Sequence, residues 1–216
     1  MKVLFCILFL FTNPIPWVHS YIDRSSDYFE KSINGYKKNE FWGNWSMPLS
    51  ETLTVSTVNK AGIHNQYNKK NIQDYNLNTA YVFENFNNTS DAYIEFVFKY
   101  PANTSYSSAY QFQGICNLFN GYCKSDKTWK ENARIKSLLI YFNDQPVCNV
   151  NLKDTWHYQS FDLSKLFVNK RANKNLKARY EIKNGDRLKF KIVSVYPGTK
   201  YADVAISEFL CEGAPN

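Results

Sequence analysis

The sequence predicts an all-β sandwich, because short alternating apolar segments recur along it and no long amphipathic helix is present. The clearest alternation lies in residues 92–100, where Ile94, Phe96 and Phe98 are interleaved with more polar positions. Apolar residues at a spacing of two are typical of a strand with one buried face. Turn residues separate this segment from others like it, which favours a sandwich.

Further segments extend this pattern of strands. Residues 135–142 and 147–152 flank the turn-like sequence 143–146, which predicts a hairpin. Residues 187–195 alternate apolar side chains with lysines, as a half-buried strand does. Residues 202–211 supply a last strand. Together these segments account for most of the second half of the chain.

The N-terminal residues have the composition of a secretory signal peptide. Lys2 precedes a short apolar run, Val3–Phe11, and Val18 and Ser20 are the small residues of a cleavage site. We therefore expect residues 1–20 to be a leader that is cleaved after Ser20. The apolar run is too short to span a bilayer. The sequence thus predicts an exported protein without a membrane span, located in a periplasm or outside the cell.

The remaining chain is predicted to contain one domain. Residues 21–50 form a lead-in of unassigned structure, residues 51–212 form the sandwich and residues 213–216 form a tail. The net charge of +7 comes from scattered basic residues, among them a polar segment at residues 165–177 that we expect to be a loop. A basic balance can favour acidic glycans, anionic surfaces or nucleic acid, but for most of these residues solubility is the favoured explanation. No nucleic-acid-binding motif accompanies the charge, so no nucleic-acid partner is predicted.

Four cysteines follow the predicted leader, at positions Cys116, Cys123, Cys148 and Cys211. An even number in an exported chain indicates two disulfides, for which three pairings exist. Spacing favours Cys116–Cys123 and Cys148–Cys211, because a hairpin loop at residues 118–121 would place the first two opposite each other. A zinc site is disfavoured, since no CxxC pair and few histidines are present.

The sequence gives little support for catalysis. His64 and His157 lie in no nucleophile motif, and the cysteines are expected to be paired. No glycine-rich phosphate loop occurs. The available carboxylates, Asp74, Asp203 and Glu208, fit loop architecture better than a facing acid pair. We therefore predict that the protein is not an enzyme.

Three blocks of sequence carry a resemblance to a known family. They are residues 67–81 with Asp74 and Thr79-Ala80-Tyr81, residues 120–134 with Asn120-Gly121-Tyr122 and Trp129, and residues 195–208 with Tyr196-Pro197-Gly198. Together they resemble the discoidin-like (F5/8 type C-like) domain that accompanies NAD-glycohydrolase toxins. The resemblance runs from about Thr52 to Cys211 and implies a jelly-roll sandwich of about eight antiparallel strands. Tyr81 replaces the usual tryptophan of this family.

The resemblance also implies a structural calcium ion near the early loop and the last strand. Asp74 and Glu208 would supply carboxylates and Thr79 a hydroxyl, and backbone carbonyls such as those of Asn71 and Leu77 would complete the ligands. Calcium prefers six to eight oxygen ligands of these kinds. The alternative is that Asp74 forms an Asx turn while Glu208 pairs with a lysine or arginine.

The second and third blocks combine aromatic side chains with polar groups, as sugar recognition requires. The candidate ligand-binding residues are Tyr122, Lys124, Trp129, Asn132, Arg134, Tyr196, Lys200, Tyr201 and Asp203. Trp129 and Tyr201 are the foremost of these, whereas Arg134 and Asp203 could instead form an ion pair. The predicted function is a secreted, non-catalytic module that recognises glycans on a surface. A protein-binding or adhesion module with a protein receptor is the alternative, and a hydrolase is less favoured.

Overall fold

The fold is described from a computed structural model of the chain. The described residues are 14–22, 53–55, 67–84, 86, 91–98, 111–168, 180–181, 183 and 185–214. Residues 23–50 of the predicted lead-in (21–50) and residues 169–177 of the predicted basic loop (165–177) lie outside them. In the described residues, no helix is long and apolar enough to cross a membrane.

Within the described residues, two large sheets form the body of the protein. The first has five strands, which in spatial order are β2 (Tyr21–Ile22), β9 (Gln159–Asp162), β6 (Gln111–Asn120), β13 (Val204–Ala214) and β4 (Tyr81–Phe83). The second has six strands, in the order β1 (Trp17–His19), β8 (Gln145–Asn151), β7 (Arg134–Phe142), β12 (Arg187–Tyr196), β5 (Tyr93–Val97) and β3 (Leu53–Val55). A small separate pair joins β10 (Phe167–Val168) and β11 (Tyr180–Glu181).

The two large sheets pack face to face around one aromatic-rich core. Phe190 of β12 lies against Phe209 of β13, with ring centroids 4.8 Å apart in an edge-to-face arrangement. Phe161 of β9 meets the same Phe190 ring at 6.3 Å. These side chains are fully buried and belong to one continuous apolar cluster that draws on both sheets. The predicted all-β sandwich is thus confirmed, and aromatic packing supplies much of its interior.

The alternation that predicted the strands reflects their burial. Ile94 and Phe96 on β5 face the core, as do Leu188 and Phe190 on β12. The predicted hairpin joins β7 to β8 through Asn143 and Asp144, which both have positive φ values of 48° and 64°. Two such residues between paired strands are typical of a type I′ turn, whose twist matches that of the flanking strands.

The predicted hairpin loop at residues 118–121 is wrong. Leu118 and Phe119 are buried and continue β6, so the strand runs on to Asn120. Cys116 lies on this strand opposite Cys211 of β13, not opposite Cys123. The favoured pairings Cys116–Cys123 and Cys148–Cys211 are therefore wrong, and within the described residues the four cysteines are buried without a disulfide between them.

Residues of the predicted leader take part in the sandwich. Strand β1 adds to the edge of β8 in parallel, and Val18 packs against the main core. The Ser20 hydroxyl donates a hydrogen bond of 2.7 Å to Gln159 Oε1 and accepts one of 3.0 Å from the Lys153 backbone N–H. This parallel edge strand differs from the purely antiparallel arrangement that the sequence predicted, while the leader itself stays a prediction.

One short α-helix, α1 (Asp126–Glu131), occurs in the described residues and lies between β6 and β7. Ser125 begins it with a capping box, in which its side chain accepts from the Thr128 N–H and the Thr128 hydroxyl accepts from the Ser125 N–H. This arrangement satisfies two backbone donors at the start of the helix. The cap therefore fixes how the chain leaves β6 and positions Trp129.

Candidate functional site

Four connecting segments meet at one end of the sandwich. We call this surface the loop end and define it as residues 73–80, 121–133, 152–158 and 197–203. The Tyr122 hydroxyl donates to the Asn78 carbonyl at 3.0 Å, which joins the first segment to the second. The backbone N–H of Tyr201 donates to the Glu131 carbonyl at 2.9 Å, which joins the second to the fourth. The loop end includes most of the residues that the sequence singled out.

The structure brings the three predicted calcium ligands together where residues 73–80 of the loop end meet Glu208 of β13. The Thr79 hydroxyl donates to Asp74 Oδ2 at 2.7 Å. The backbone N–H of Asn76 lies 3.0 Å from Asp74 Oδ1 and 2.9 Å from Glu208 Oε1, so it bridges the two carboxyl groups. The hydrogen bond from the Asn76 N–H to Asp74 Oδ1 is an Asx turn, as the alternative interpretation expected for Asp74. We call this group the Asp74–Glu208 cluster.

Glu208 is an unusual member of this cluster because it is 1% exposed. Burial, with a smaller contribution from the nearby Asp74 carboxylate, raises the pKa of Glu208 to about 10, against the lowering effect of the hydrogen bond from Asn76. Its Oε2 atom is buried without a hydrogen-bond partner among the described residues. No lysine or arginine in the described part of the chain forms an ion pair with it. A buried acid of this kind is costly to ionise unless a cation or proton joins it.

These features fit a hard cation such as calcium. Two carboxyl groups and one hydroxyl converge there, and one carboxylate oxygen lacks a partner. Within the described residues, no cluster of three or more His, Cys, Asp or Glu side chains occurs, so other ligands would be backbone oxygens. Calcium is readily bound by carbonyl and hydroxyl oxygens, whereas zinc sites are built mainly from cysteine, histidine and carboxylate ligands.

A second cluster adjoins the loop end and is built around Arg134, the first residue of β7. This side chain is 8% exposed and forms two hydrogen bonds to Asp154, from Nε to Oδ1 at 2.7 Å and from Nη2 to Oδ2 at 3.1 Å. Its Nη1 donates to the carbonyls of Trp129 and Asn132. The expected ion pair of Arg134 with Asp203 is wrong, because the guanidinium of Arg134 forms a side-on, two-bond ion pair with Asp154 instead. We call this group the Arg134–Asp154 cluster.

Trp129 belongs to the same cluster and is held on several sides. The Arg134 guanidinium lies 4.3 Å above its ring, and its indole N–H donates to the Asn120 carbonyl at 2.8 Å. Gly121, with φ of +103°, approaches the ring so closely that a Cβ atom there would lie 2.6 Å from Trp129 Cδ1. These contacts favour a structural role for Trp129, although the sequence made it a leading ligand-binding candidate.

Other candidates also have partners within the protein. Tyr196 donates its hydroxyl to the Leu152 carbonyl at 3.0 Å, and the Asn132 amide donates to the Thr128 carbonyl at 2.8 Å. Tyr122 packs against an apolar cluster that contains Val82. The Asp203 carbonyl accepts from the Ala133 N–H at 2.9 Å. These residues therefore make contacts within the protein that hold the loops together.

Two aromatic rings stand out on the surface of the loop end. Tyr201 and Trp156 are each 41% exposed. The Lys200 ammonium lies 4.8 Å from the centroid of the Tyr201 ring, and Lys124 is exposed on the neighbouring segment. Sequence reasoning missed Asp154, since no local pattern links it to Arg134 across 20 positions. The exposed Trp156 was not among the candidate ligand-binding residues, because the burial of individual tryptophans is not visible in a sequence.

The fold and the three sequence blocks agree with one protein family. A family model described as "NAD glycohydrolase translocation F5/8 type C domain" matches residues 46–212. The chain belongs to this family. The predicted resemblance to a discoidin-like domain is thereby confirmed, and the match includes every segment of the loop end. No curated protein matches the sequence.

The fold of this F5/8 type C domain also occurs in a solved structure. The CBM32-1 and CBM32-2 domains of ZmpB from Clostridium perfringens, in complex with GalNAc, are similar with a TM-score of 0.52 and 12% identity. The similarity covers 92% of this chain and 40% of that chain. A fucose binding module of Streptococcus pneumoniae has a TM-score of 0.43 and 16% identity, over 82% of this chain and 100% of the module.

Proposed function

We propose that this F5/8 type C domain is a secreted, non-catalytic module that recognises glycans on a surface through its loop end. The observation that carries the proposal is the exposure of Trp156 and Tyr201 on loops that are otherwise held by internal hydrogen bonds. Exposed large aromatic side chains on a rigid support are typical of a binding surface. Their burial by a ligand would remove apolar area from water without first ordering the loops.

The chemistry around these rings suits a sugar. A sugar ring presents apolar C–H groups on its faces and hydroxyls on its rim, so it needs an aromatic face beside polar side chains. Tyr201 has Lys200 beside it, and Trp156 follows the exposed Lys153 and Asp154. The similar Clostridium perfringens domains are in complex with GalNAc, which supports a glycan as the ligand class. Lysines beside the rings favour glycans that carry negative charge.

We also propose that calcium binds at the Asp74–Glu208 cluster. Asp74, Thr79 and Glu208 would hold the ion with carbonyl oxygens of residues 73–80, and the ion would neutralise the buried Glu208 carboxylate. Its role would be structural, since the cluster fixes the loop that contacts Tyr122. Calcium would thereby stiffen the loop end without contacting the sugar.

A protein receptor is the second candidate ligand. The description of the family names the translocation of a NAD glycohydrolase, and a translocation module could act by contacting another protein. A protein interface needs a broad surface of about 800 Å² on each partner. Two isolated aromatic rings among charged side chains fit a sugar better than such an interface.

A glycan array, with calcium and with a chelator, tests the proposed function. We expect selective binding by the wild type and loss of binding in Trp156→Ala or Tyr201→Ala variants that melt normally. Val193→Ala is the matched control, because Val193 is an exposed apolar side chain on β12 outside the loop end. Absence of binding to any glycan in both conditions would contradict the proposal and favour a protein receptor.

A further inference from the structure

Two buried thiols lie opposite each other in the centre of the five-stranded sheet. Cys116 of β6 and Cys211 of β13 are Cα partners in an antiparallel pair, and their Sγ atoms are 3.3 Å apart. Directly opposed residues in antiparallel strands have Cα atoms about 4.5–5.5 Å apart, which lies within the span of a disulfide. A small rotation of the side chains would therefore bring the sulfurs to bonding distance.

The other two cysteines occupy different parts of the fold. Cys123 follows β6, and its thiol contacts the carbonyls of Asn120 and Gly121 at 3.9 and 3.7 Å. Cys148 lies on β8 in the other sheet, where its Cα partner is Ile140. Neither cysteine lies opposite another cysteine in the strand registers, unlike Cys116 and Cys211.

We propose that Cys116 and Cys211 form an intramolecular disulfide that links β6 to β13. The oxidant is a disulfide-bearing species, either an oxidised dithiol protein or oxidised glutathione. One cysteine loses its proton and its thiolate attacks that disulfide, which gives a mixed disulfide and releases one thiol of the oxidant. The second cysteine, after losing its proton, displaces the other sulfur. Two electrons pass to the oxidant, and the two protons complete its thiols.

Because both cysteines are buried, the disulfide must form before the two sheets pack together. Cys116 and Cys211 are both fully buried by the packing of the two sheets. An oxidant cannot reach them there, so the exchange takes place before the six-stranded sheet covers β6 and β13. The bond then closes a loop between residues 95 positions apart, which restricts the unfolded chain.

The link also supports the loop end. Glu208 lies on β13 three positions before Cys211, and β6 leads directly into Gly121 and helix α1. The disulfide would thus join the two strands from which the Asp74–Glu208 cluster and the Trp129 segment extend. This inference does not depend on the proposed glycan binding.

Peptide mapping of the full chain tests the proposal. The reduced, denatured protein is refolded in a glutathione redox buffer, alkylated and digested without reductant. We expect one linked peptide pair that contains Cys116 and Cys211, with a mass about 2 Da below the sum of the free peptides because two hydrogens have left. Cys123 and Cys148 are expected as alkylated thiols. Alkylation at all four positions, or a link to Cys123 or Cys148, would overturn the proposal.

The melting temperature of refolded protein, with and without reductant, gives a second test of the disulfide. The wild-type comparison remains informative even if one variant folds poorly. The wild type should melt roughly 10 °C lower with reductant than without it, as expected for a disulfide that closes a long loop. The Cys148→Ala variant is the matched control, since it creates a similar buried cavity but should keep this difference. In Cys116→Ala and Cys211→Ala the difference should vanish. An equal difference in all variants would contradict the proposal.

Discussion

The two charged clusters of the loop end differ in how completely their charges are neutralised. In the Arg134–Asp154 cluster, a buried guanidinium meets a carboxylate side on, and its remaining N–H group donates to backbone carbonyls. In the Asp74–Glu208 cluster, two carboxyl groups face each other and Glu208 Oε2 has no partner among the described residues. The first cluster is complete within the protein, whereas the second needs a proton or a cation. The Arg134–Asp154 cluster is therefore purely structural, whereas the charge state of the Asp74–Glu208 cluster depends on pH and on available cations.

The largest expected effect is the loss of Arg134. Arg134→Met should lower the free energy of unfolding by about 3 kcal/mol, because Asp154 loses its partner and the carbonyls of Trp129 and Asn132 lose a donor. Urea unfolding followed by circular dichroism measures it. Lys130→Met, which removes an exposed ion pair with Asp126, is the control and should cost about 0.5 kcal/mol or less. Equal effects in the two variants would contradict a complete, buried Arg134–Asp154 cluster.

Calcium should produce the next largest effect. Calcium at about thirty times its dissociation constant should raise the free energy of unfolding by about 2 kcal/mol, because it binds only the folded cluster. The gain should grow as the pH is raised, since the ion competes with the proton that the raised pKa of Glu208 favours. Thermal melts with calcium and with chelator measure it.

The matched variants for calcium are Glu208→Gln and Glu131→Gln. The first removes a proposed ligand while keeping its shape, so its melting temperature should not respond to calcium. The second changes a carboxylate outside the Asp74–Glu208 cluster and should keep the full response. A wild type whose melting temperature is the same with and without calcium would refute the calcium proposal.

A smaller effect is expected from the N-terminal strand. Protein that starts at residue 14 should melt about 5 °C above protein that starts at Tyr21, because β1, the Val18 contact and the Ser20–Gln159 hydrogen bond add to the fold. Calorimetry of the two forms measures this, and N-terminal sequencing of the exported protein shows which form occurs. Identical melting temperatures would mean that residues 14–20 contribute nothing to the sandwich.

The smallest effect on stability is expected for Trp156→Ala and Tyr201→Ala. Each should change the free energy of unfolding by about 0.5 kcal/mol or less, since both rings are substantially exposed. Trp129→Ala should instead cost about 2–3 kcal/mol, because that ring supports Arg134 and abuts Gly121. Urea unfolding of the three variants measures the contrast. A Trp129→Ala variant as stable as the other two would show that Trp129 is a surface residue.

The parts of the fold that sequence alone predicted are those with a local cause. Alternation at Ile94 and Phe96, or at Leu188 and Phe190, arises because one face of each strand is buried, and a shift of one residue would expose the core. The end of β6 was predicted wrongly because its cause is not local. The Asn120 side chain accepts from the Ile135 N–H and donates to the Ile135 carbonyl, a contact that keeps residues 118–120 extended beside β7.

In the candidate functional site, too, some features could be predicted from the sequence and others depend on long-range contacts. The resemblance selected Asp74, Thr79 and Glu208 from distant parts of the chain, and the structure places them in contact. The sequence indicated Asp203 as a partner of Arg134, whereas the folded chain places Asp154 there, 20 positions along the chain. Exposure also depends on tertiary packing, which is why the sequence indicated Trp129 and not the more exposed Trp156.

Mapping of backbone amide chemical shifts by NMR, during titration with a glycan that the array identifies, tests glycan binding at the loop end most directly. We predict that the shifts concentrate in residues 152–158 and 197–203, with smaller changes in residues 121–133. The Trp156→Ala and Tyr201→Ala variants should lose at least tenfold in affinity, corresponding to about 1.4 kcal/mol. Shifts centred on the outer face of β5 and β12, with affinity unchanged in both variants, would contradict the account.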